Sequence, residues 1–74
     1  MLEKVKEYYE SEYKSTKGCI DRQVEWMTPA ELVNVTLHQM LGIAQFVQTV
    51  GVSYEEIDKL YTEYKEKLEK LLDN

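Results

Sequence analysis

The fold turns on "MTPAELVNVTLHQMLGIAQFVQTVGVSYEEI", residues 27–57, which holds one complete helix together with the devices that start and stop it. Thr28 stands where an N-cap hydroxyl can accept from the first turn. Pro29 takes the first helical position, where its missing N–H costs nothing, and Glu31 can reach back to complete a capping box. Met27 before the cap and Leu32 after it form the matching hydrophobic staple. "VSYEEI" repeats the device, with Ser53 as cap, Glu56 as reciprocal partner, and Val52 with Ile57 as staple. Gly51 falls where a helix closes on a left-handed C′ residue. These signals predict one helix over about 29–50 and another starting at Tyr54.

Working outward, the helix from Tyr54 to about Leu72 has a narrow apolar stripe of Tyr54, Ile57, Leu60, Tyr61, Tyr64, Leu68 and Leu71, spaced three and four apart. On its other face Glu55–Lys59, Glu63–Lys67 and Glu66–Lys70 stand at i,i+4 in the favourable order. Towards the N-terminus, Leu2, Val5, Tyr9, Tyr13, Thr16, Ile20, Val24 and Met27 fall on one helical face and predict a single long helix over about 2–26. "STKG" (15–18) offers an alternative, because Gly18 could close a shorter helix and Asp21 could cap a new one. Gly18 projects away from the apolar face, which favours the continuous helix. The fold class expected is all-α, a single domain spanning residues 1–74. It is read as an antiparallel three-helix bundle, or a helical hairpin with a long N-terminal helix, assembled into a homo-oligomeric helical bundle.

Oligomerisation enters because a chain of 74 residues buries only about 60% of its unfolded surface, and a core of that size supplies ~3–5 kcal/mol. Cys19 is the only cysteine, so no intramolecular disulfide can add to that, and one cysteine with one histidine, His38, does not make a zinc site. No metal or cofactor is expected. A formal net charge of −5 argues against nucleic-acid backbone or an anionic membrane surface as partner, since both select basic surfaces. The opening "MLEKVKEYYE" lacks the apolar core of a secretory signal, and a lone cysteine suits a reducing compartment, so a cytoplasmic location is expected.

From Leu32 to Tyr54 the chain has no formal charge although both flanking segments are crowded with Lys and Glu. Asn34, Thr36, His38, Gln39, Gln45, Gln48 and Thr49 make this stretch too polar to span a lipid bilayer. On a helical projection its apolar residues fill one broad sector, which Val35 and Phe46 extend to roughly 200°, too wide for a helix with one buried side. The remaining face carries Asn34, His38, Leu41, Gln45 and Gln48, and Gly42 would let another helix approach closely. This helix is therefore expected to pack on something further, first a copy of itself, with a solvated face, a small polar ligand or a different protein as the other readings.

Other candidate sites carry less. No motif surrounds Cys19 or His38 to make a nucleophile and base of them, so no catalytic residue is assigned. "NVT" at Asn34 matches a glycosylation acceptor but lies within a predicted helix. Tyr8 and Trp26, on the flank of the first helix, could anchor a partner as interface aromatics. "TPAEL…GVSYEEI" has the rhythm of a helix-turn-helix, yet its second helix would present Tyr54, Glu55, Glu56 and Asp58 to DNA, which repels phosphate. Carboxylates that alternate with lysines give little support to an acidic DNA mimic.

The segments "TPAELVN" (28–34), "LGIAQFVQ" (41–48), "GVSYEEID" (51–58) and "EYKEKLE" (63–69) resemble short proteins encoded by phages and prophages of Gram-positive bacteria, over roughly the C-terminal two-thirds of the chain. The resemblance transfers no functional residue. It implies a small accessory protein in the cytoplasm of an infected bacterium, acting on a host or defence protein or sequestering a signalling nucleotide. The function expected is that of a self-associating, non-enzymatic helical protein that binds a partner protein. An oligomeric sponge for a small signalling ligand is the alternative, and a DNA-binding regulator a lesser one.

Overall fold

A computed structural model describes residues 1–73; Asn74, the last residue of the expected domain, lies outside the described residues. Three helices, α1 (Leu2–Asp21), α2 (Pro29–Thr49) and α3 (Tyr54–Lys70), pack pairwise against one another, and a 3₁₀ turn (Leu71–Asp73) closes the described chain. The body is elongated, 39 × 20 × 16 Å between Cα extremes. Each helix contributes its inward stripe to one core of Val5 and Tyr9 from α1, Val33, Met40, Ala44 and Val47 from α2, and Ile57, Leu60, Tyr64 and Leu68 from α3. The three-helix bundle read from the sequence is thus the observed architecture.

The start of α2 is as expected. Glu31 N–H donates to Thr28 Oγ1 at 3.2 Å, Thr28 N–H donates to Glu31 Oε1 at 3.1 Å, and Pro29 opens the first turn. Its end also follows the reading. Gly51 takes φ +106°, its N–H donates to the Gln48 carbonyl, and Val52 N–H reaches the Val47 carbonyl at 2.9 Å, the two bonds of a Schellman closure. At α3 the outcome is different. Ser53 occupies the N-cap position but makes no side-chain capping bond, so the second capping box is not formed. Val52 and Ile57 nevertheless both pack into the core, as the staple requires.

The first helix is shorter than the expected 2–26. It passes through Gly18 without a break but stops at Asp21. The stop is a second Schellman closure, in which Gln23 is the left-handed residue at φ 54°, Gln23 N–H donates to the Ile20 carbonyl at 3.0 Å, and Val24 N–H to the Cys19 carbonyl at 3.4 Å. Val24 and Met27 carried the helical period past this point for a physical reason. The apolar residue after a Schellman closure and the one before an N-cap are both half-buried loop residues covering a helix end, and here their spacing coincides with that of a helix.

Two polar contacts fix α1 against α2 inside the bundle. Tyr9, fully buried, donates its hydroxyl to the Met40 carbonyl at 2.8 Å. Thr16 and Thr36, each about 5% exposed, share a hydroxyl–hydroxyl bond of 2.6 Å. Because Thr36 Oγ1 donates to the Leu32 carbonyl at 2.9 Å, Thr16 is left as the donor of that pair. Burial without such partners would be costly, and no described buried side-chain nitrogen or oxygen lacks one. Together the contacts specify one antiparallel register.

On α3 the expected i,i+4 pairs do not close. Among the described residues the ion pair within 4 Å is Lys17–Asp21, at 3.7 Å and well exposed. Lys67 lies instead over the Tyr64 ring, 4.7 Å from its centroid, where the aromatic face replaces the carboxylate as partner.

Candidate functional site

The side of α2 turned away from the core is the candidate. Its inward stripe of Val33, Thr36, Met40, Ala44 and Val47 is buried, Leu32, Leu37 and Ile43 are half-buried on the flanks, and the rest is open. Val35 is 43% exposed, Leu41 40%, Phe46 59% and Val50 50%. An open helix face normally carries Lys and Glu, as α1 and α3 do here. This one has no formal charge after Glu31.

Helix α2 divides this open side into two flanks. Towards α3, Asn34, His38 and Leu41 share a shallow hollow of about 320 Å³ with Tyr61, Lys65 and Glu69. One turn further on, Gln45 and Gln48 line a second hollow of about 250 Å³ with Tyr54, Asp58 and Tyr61. Five of the six α2 residues singled out from the sequence are thereby gathered along one boundary, and the charges there come from α3. Gly42, the sixth, lies elsewhere. It shares the other flank with Val35, Gln39 and Phe46, which follow at i, i+4, i+7 and i+11 and so form one strip. Sequence reading treated Val35 and Phe46 as extensions of the apolar sector and assigned them no surface role. Their spacing with Gly42 was the available signal.

The hollow beside α3 holds polar groups of several kinds. His38 Nδ1 is 2.8 Å from the Asn34 carbonyl oxygen one turn earlier. A carbonyl oxygen only accepts, so the ring donates through Nδ1, and in the neutral imidazole Nε2 is left as an acceptor. Cys19 is not near it. The thiol lines a different cleft, where the Arg22 guanidinium Nη2 donates to Sγ at 3.5 Å, so the structure does not bring the sole thiol and the sole imidazole together. Among the described residues no group of three or more His, Cys, Asp or Glu side chains is arranged to hold a metal ion. Among the described residues no helix is long and apolar enough to cross a membrane.

The two proposed aromatic anchors are differently placed. Trp26 is 75% exposed on the loop between α1 and α2, beside a cleft of about 340 Å³ whose apolar wall includes Val24, Met27 and Leu32. Tyr8 is half-buried, its ring 6.3 Å from that of Tyr9. Burial and the neighbouring Glu12 carboxylate push its hydroxyl above the usual range.

Charge is concentrated on the boundary of α1 and α3, away from the open side of α2. There an open groove of about 690 Å³ is lined by Glu3, Lys6, Glu7, Glu10, Lys14 and Tyr64. Tyr64 donates its hydroxyl to Glu10. This bond, with lesser help from Lys67 and other lysines, holds the Glu10 carboxyl below its usual range. Desolvation first, and then the Glu10 contact, push the Tyr64 hydroxyl up to about 12. The arrangement ties the two helices together.

Comparison of the chain with protein-family models, with curated proteins and with solved structures returned no significant match.

Proposed function

We propose that the chain is a non-enzymatic binding protein that self-associates through α2 and acts by occupying the surface of a partner protein. The observation that carries this reading is the open side of α2, charge-free and studded with Val35, Leu41 and Phe46 in a molecule otherwise covered by Lys and Glu. Depletion of charge at the centre of a patch is the compositional mark of a protein-binding surface. The exposed Trp26 adds a residue type enriched among binding hot spots. The resemblance to phage-encoded proteins supports a host or defence protein of the bacterial cytoplasm as the partner.

A second reading is a sponge for a small signalling ligand of nucleotide type. It is favoured by the hollow that Asn34, His38, Tyr61, Lys65 and Glu69 line beside Leu37 and Leu41. Such a mixture of a few polar groups with apolar walls suits a small polar ligand.

The test compares tagged wild type with Leu41→Glu and Trp26→Ala in pull-downs from bacterial extract, followed by titration of any retained protein in purified form. A protein bound by wild type and released by either variant is the expected result. A rise in melting temperature on adding nucleotides, abolished by His38→Ala, would move the reading to the sponge. Turnover lost in His38→Ala or Cys19→Ser with the fold intact would overturn the non-enzymatic reading.

A further inference from the structure

We propose that the cleft beside Trp26 takes a basic segment of a partner protein, an arginine or lysine whose stem lies on the apolar wall and whose charged head meets the indole and the carboxylates of Glu25 and Glu31. The proposal rests on the reading of the chain as a protein-binding molecule and names the chemistry of one contact, apart from the open side of α2.

The loop between α1 and α2 is held at both ends. Gln23 and Val24 close α1 on the Ile20 and Cys19 carbonyls, and the Thr28–Glu31 box opens α2. Between these fixed points Val24 and Met27 are half-buried, whereas Trp26 is 75% exposed. A tryptophan left in water forgoes one of the largest apolar burials a side chain can contribute. A short anchored loop also presents it with less ordering cost than a mobile one.

Size and charge select the occupant. The cleft is about 340 Å³, at the small end of the roughly 300–1,000 Å³ of ligand pockets, which suits one or two side chains of a peptide. Its wall joins Ile20, Val24, Met27, Pro29 and Leu32 to Trp26. The formal charges in this lining are both negative, Glu25 and Glu31, and neither forms an ion pair within 4 Å among the described residues. Bonds with Thr28, its backbone N–H first, hold the Glu31 carboxyl below its usual range, so it keeps its charge. Arg22, the cation at the edge of the loop, donates instead to Cys19 Sγ at 3.5 Å. An apolar wall with an anionic rim complements a long side chain that buries its methylenes and carries its charge at the tip. Trp26 strengthens the match, because indole is the best aromatic partner for a cation. The described cation–π contacts are those of Lys67 with Tyr13 and Tyr64, which leaves the indole to an outside partner. Phosphate ligands, and the acidic surface of a second copy with its net charge of −5, meet repulsion at the same rim.

Trp26 is the only tryptophan, so its fluorescence reports on this cleft alone. The probes are a short peptide with two arginines flanking a pair of leucines, and the same peptide with glutamates for arginines. Each is titrated into the full chain by fluorescence and by calorimetry. The arginine peptide is expected to change the emission saturably and the glutamate peptide to leave it unchanged. Trp26→Leu, which keeps an apolar side chain and loses the indole, should weaken binding roughly threefold to thirtyfold by calorimetry. Glu25→Gln with Glu31→Gln should weaken it comparably and keep the fold, because glutamine also completes a capping box. Glu55→Gln with Glu56→Gln removes the same charge from the start of α3 and should leave the affinity nearly unchanged. Equal losses from the two charge pairs, or equal binding of the two peptides, overturn the proposal, since binding would then follow net charge or apolar contact alone. No binding of the arginine peptide also overturns it. That result leaves the partner-binding reading to the pull-down, where release by Leu41→Glu is scored separately from release by Trp26→Ala. An emission that changes with protein concentration before peptide is added overturns it in favour of a second copy at the cleft.

Discussion

At the scale of single residues, the bundle is specified by a few buried polar atoms that its apolar stripes alone would not place. Tyr9 and Thr16 each need a partner once dehydrated, and each finds it across the α1–α2 contact, on the Met40 carbonyl and on Thr36, whose own hydroxyl donates within α2 to the Leu32 carbonyl. The threonine pair gives a clean test. Thr16→Val removes the hydroxyl that donates to Thr36 and should destabilise the fold by about 1 kcal/mol, since the buried Thr36 oxygen loses its donor while keeping its own bond to the Leu32 carbonyl. Replacing both threonines with valine removes donor and acceptor together, so the double variant should cost clearly less than the sum of the two singles. Urea unfolding of the four proteins completes the cycle. A strictly additive result would mean that the two hydroxyls contribute independently. None of this was legible beforehand. The sequence reading placed Thr16 on the apolar face of α1 but could not pair it with Thr36, because periodicity says which side of a helix is buried and not what it meets.

Helix ends show where local sequence suffices and where it does not. The box at Thr28 and the closure at Gly51 could be read directly, because side chain, proline, glycine and staple all demand the same geometry. At Ser53 the same pattern of letters formed no capping bond. The contrast predicts that Thr28→Ala costs about 1 kcal/mol, whereas Ser53→Ala costs less than half as much, both measured by chemical denaturation. The end of α1 was missed because its left-handed residue is Gln23, which has no signature in sequence, while Gly18, the glycine that suggested a break, sits inside the helix. A side chain held at φ 54° is strained by roughly 1 kcal/mol relative to glycine. Gln23→Gly should therefore stabilise the protein and raise its melting temperature by about 4–8 °C per kcal/mol recovered. A lower melting temperature would show that the flexibility added to the unfolded chain outweighs the strain relieved.

For the molecule as a whole, the absence of charge over residues 32–54 was legible at once, and it carried the expectation that α2 packs on something further. What the sequence could not divide was the open side itself. Only the packing of α3 against Asn34, His38 and Leu41 separates that boundary from the strip of Val35, Gln39, Gly42 and Phe46. The separation bears on stability, because a three-helix core of this size is marginal alone and a partner that binds only the folded state adds stability by mass action. Dimerisation through α2 therefore predicts that thermal unfolding depends on protein concentration. Raising the concentration about a hundredfold should add on the order of 2–3 kcal/mol to the stability of the dimer and move the melting temperature up by several degrees. Phe46→Lys should lose that dependence while keeping its helical spectrum. Ionic strength gives the complementary sign. An interface without ion pairs has none for salt to screen, whereas the repulsion between two chains of −5 is screened. Added sodium chloride should therefore tighten the wild-type dimer or leave it unchanged, and weakening by salt, followed by sedimentation equilibrium, would place the contact on the charged faces of α1 and α3.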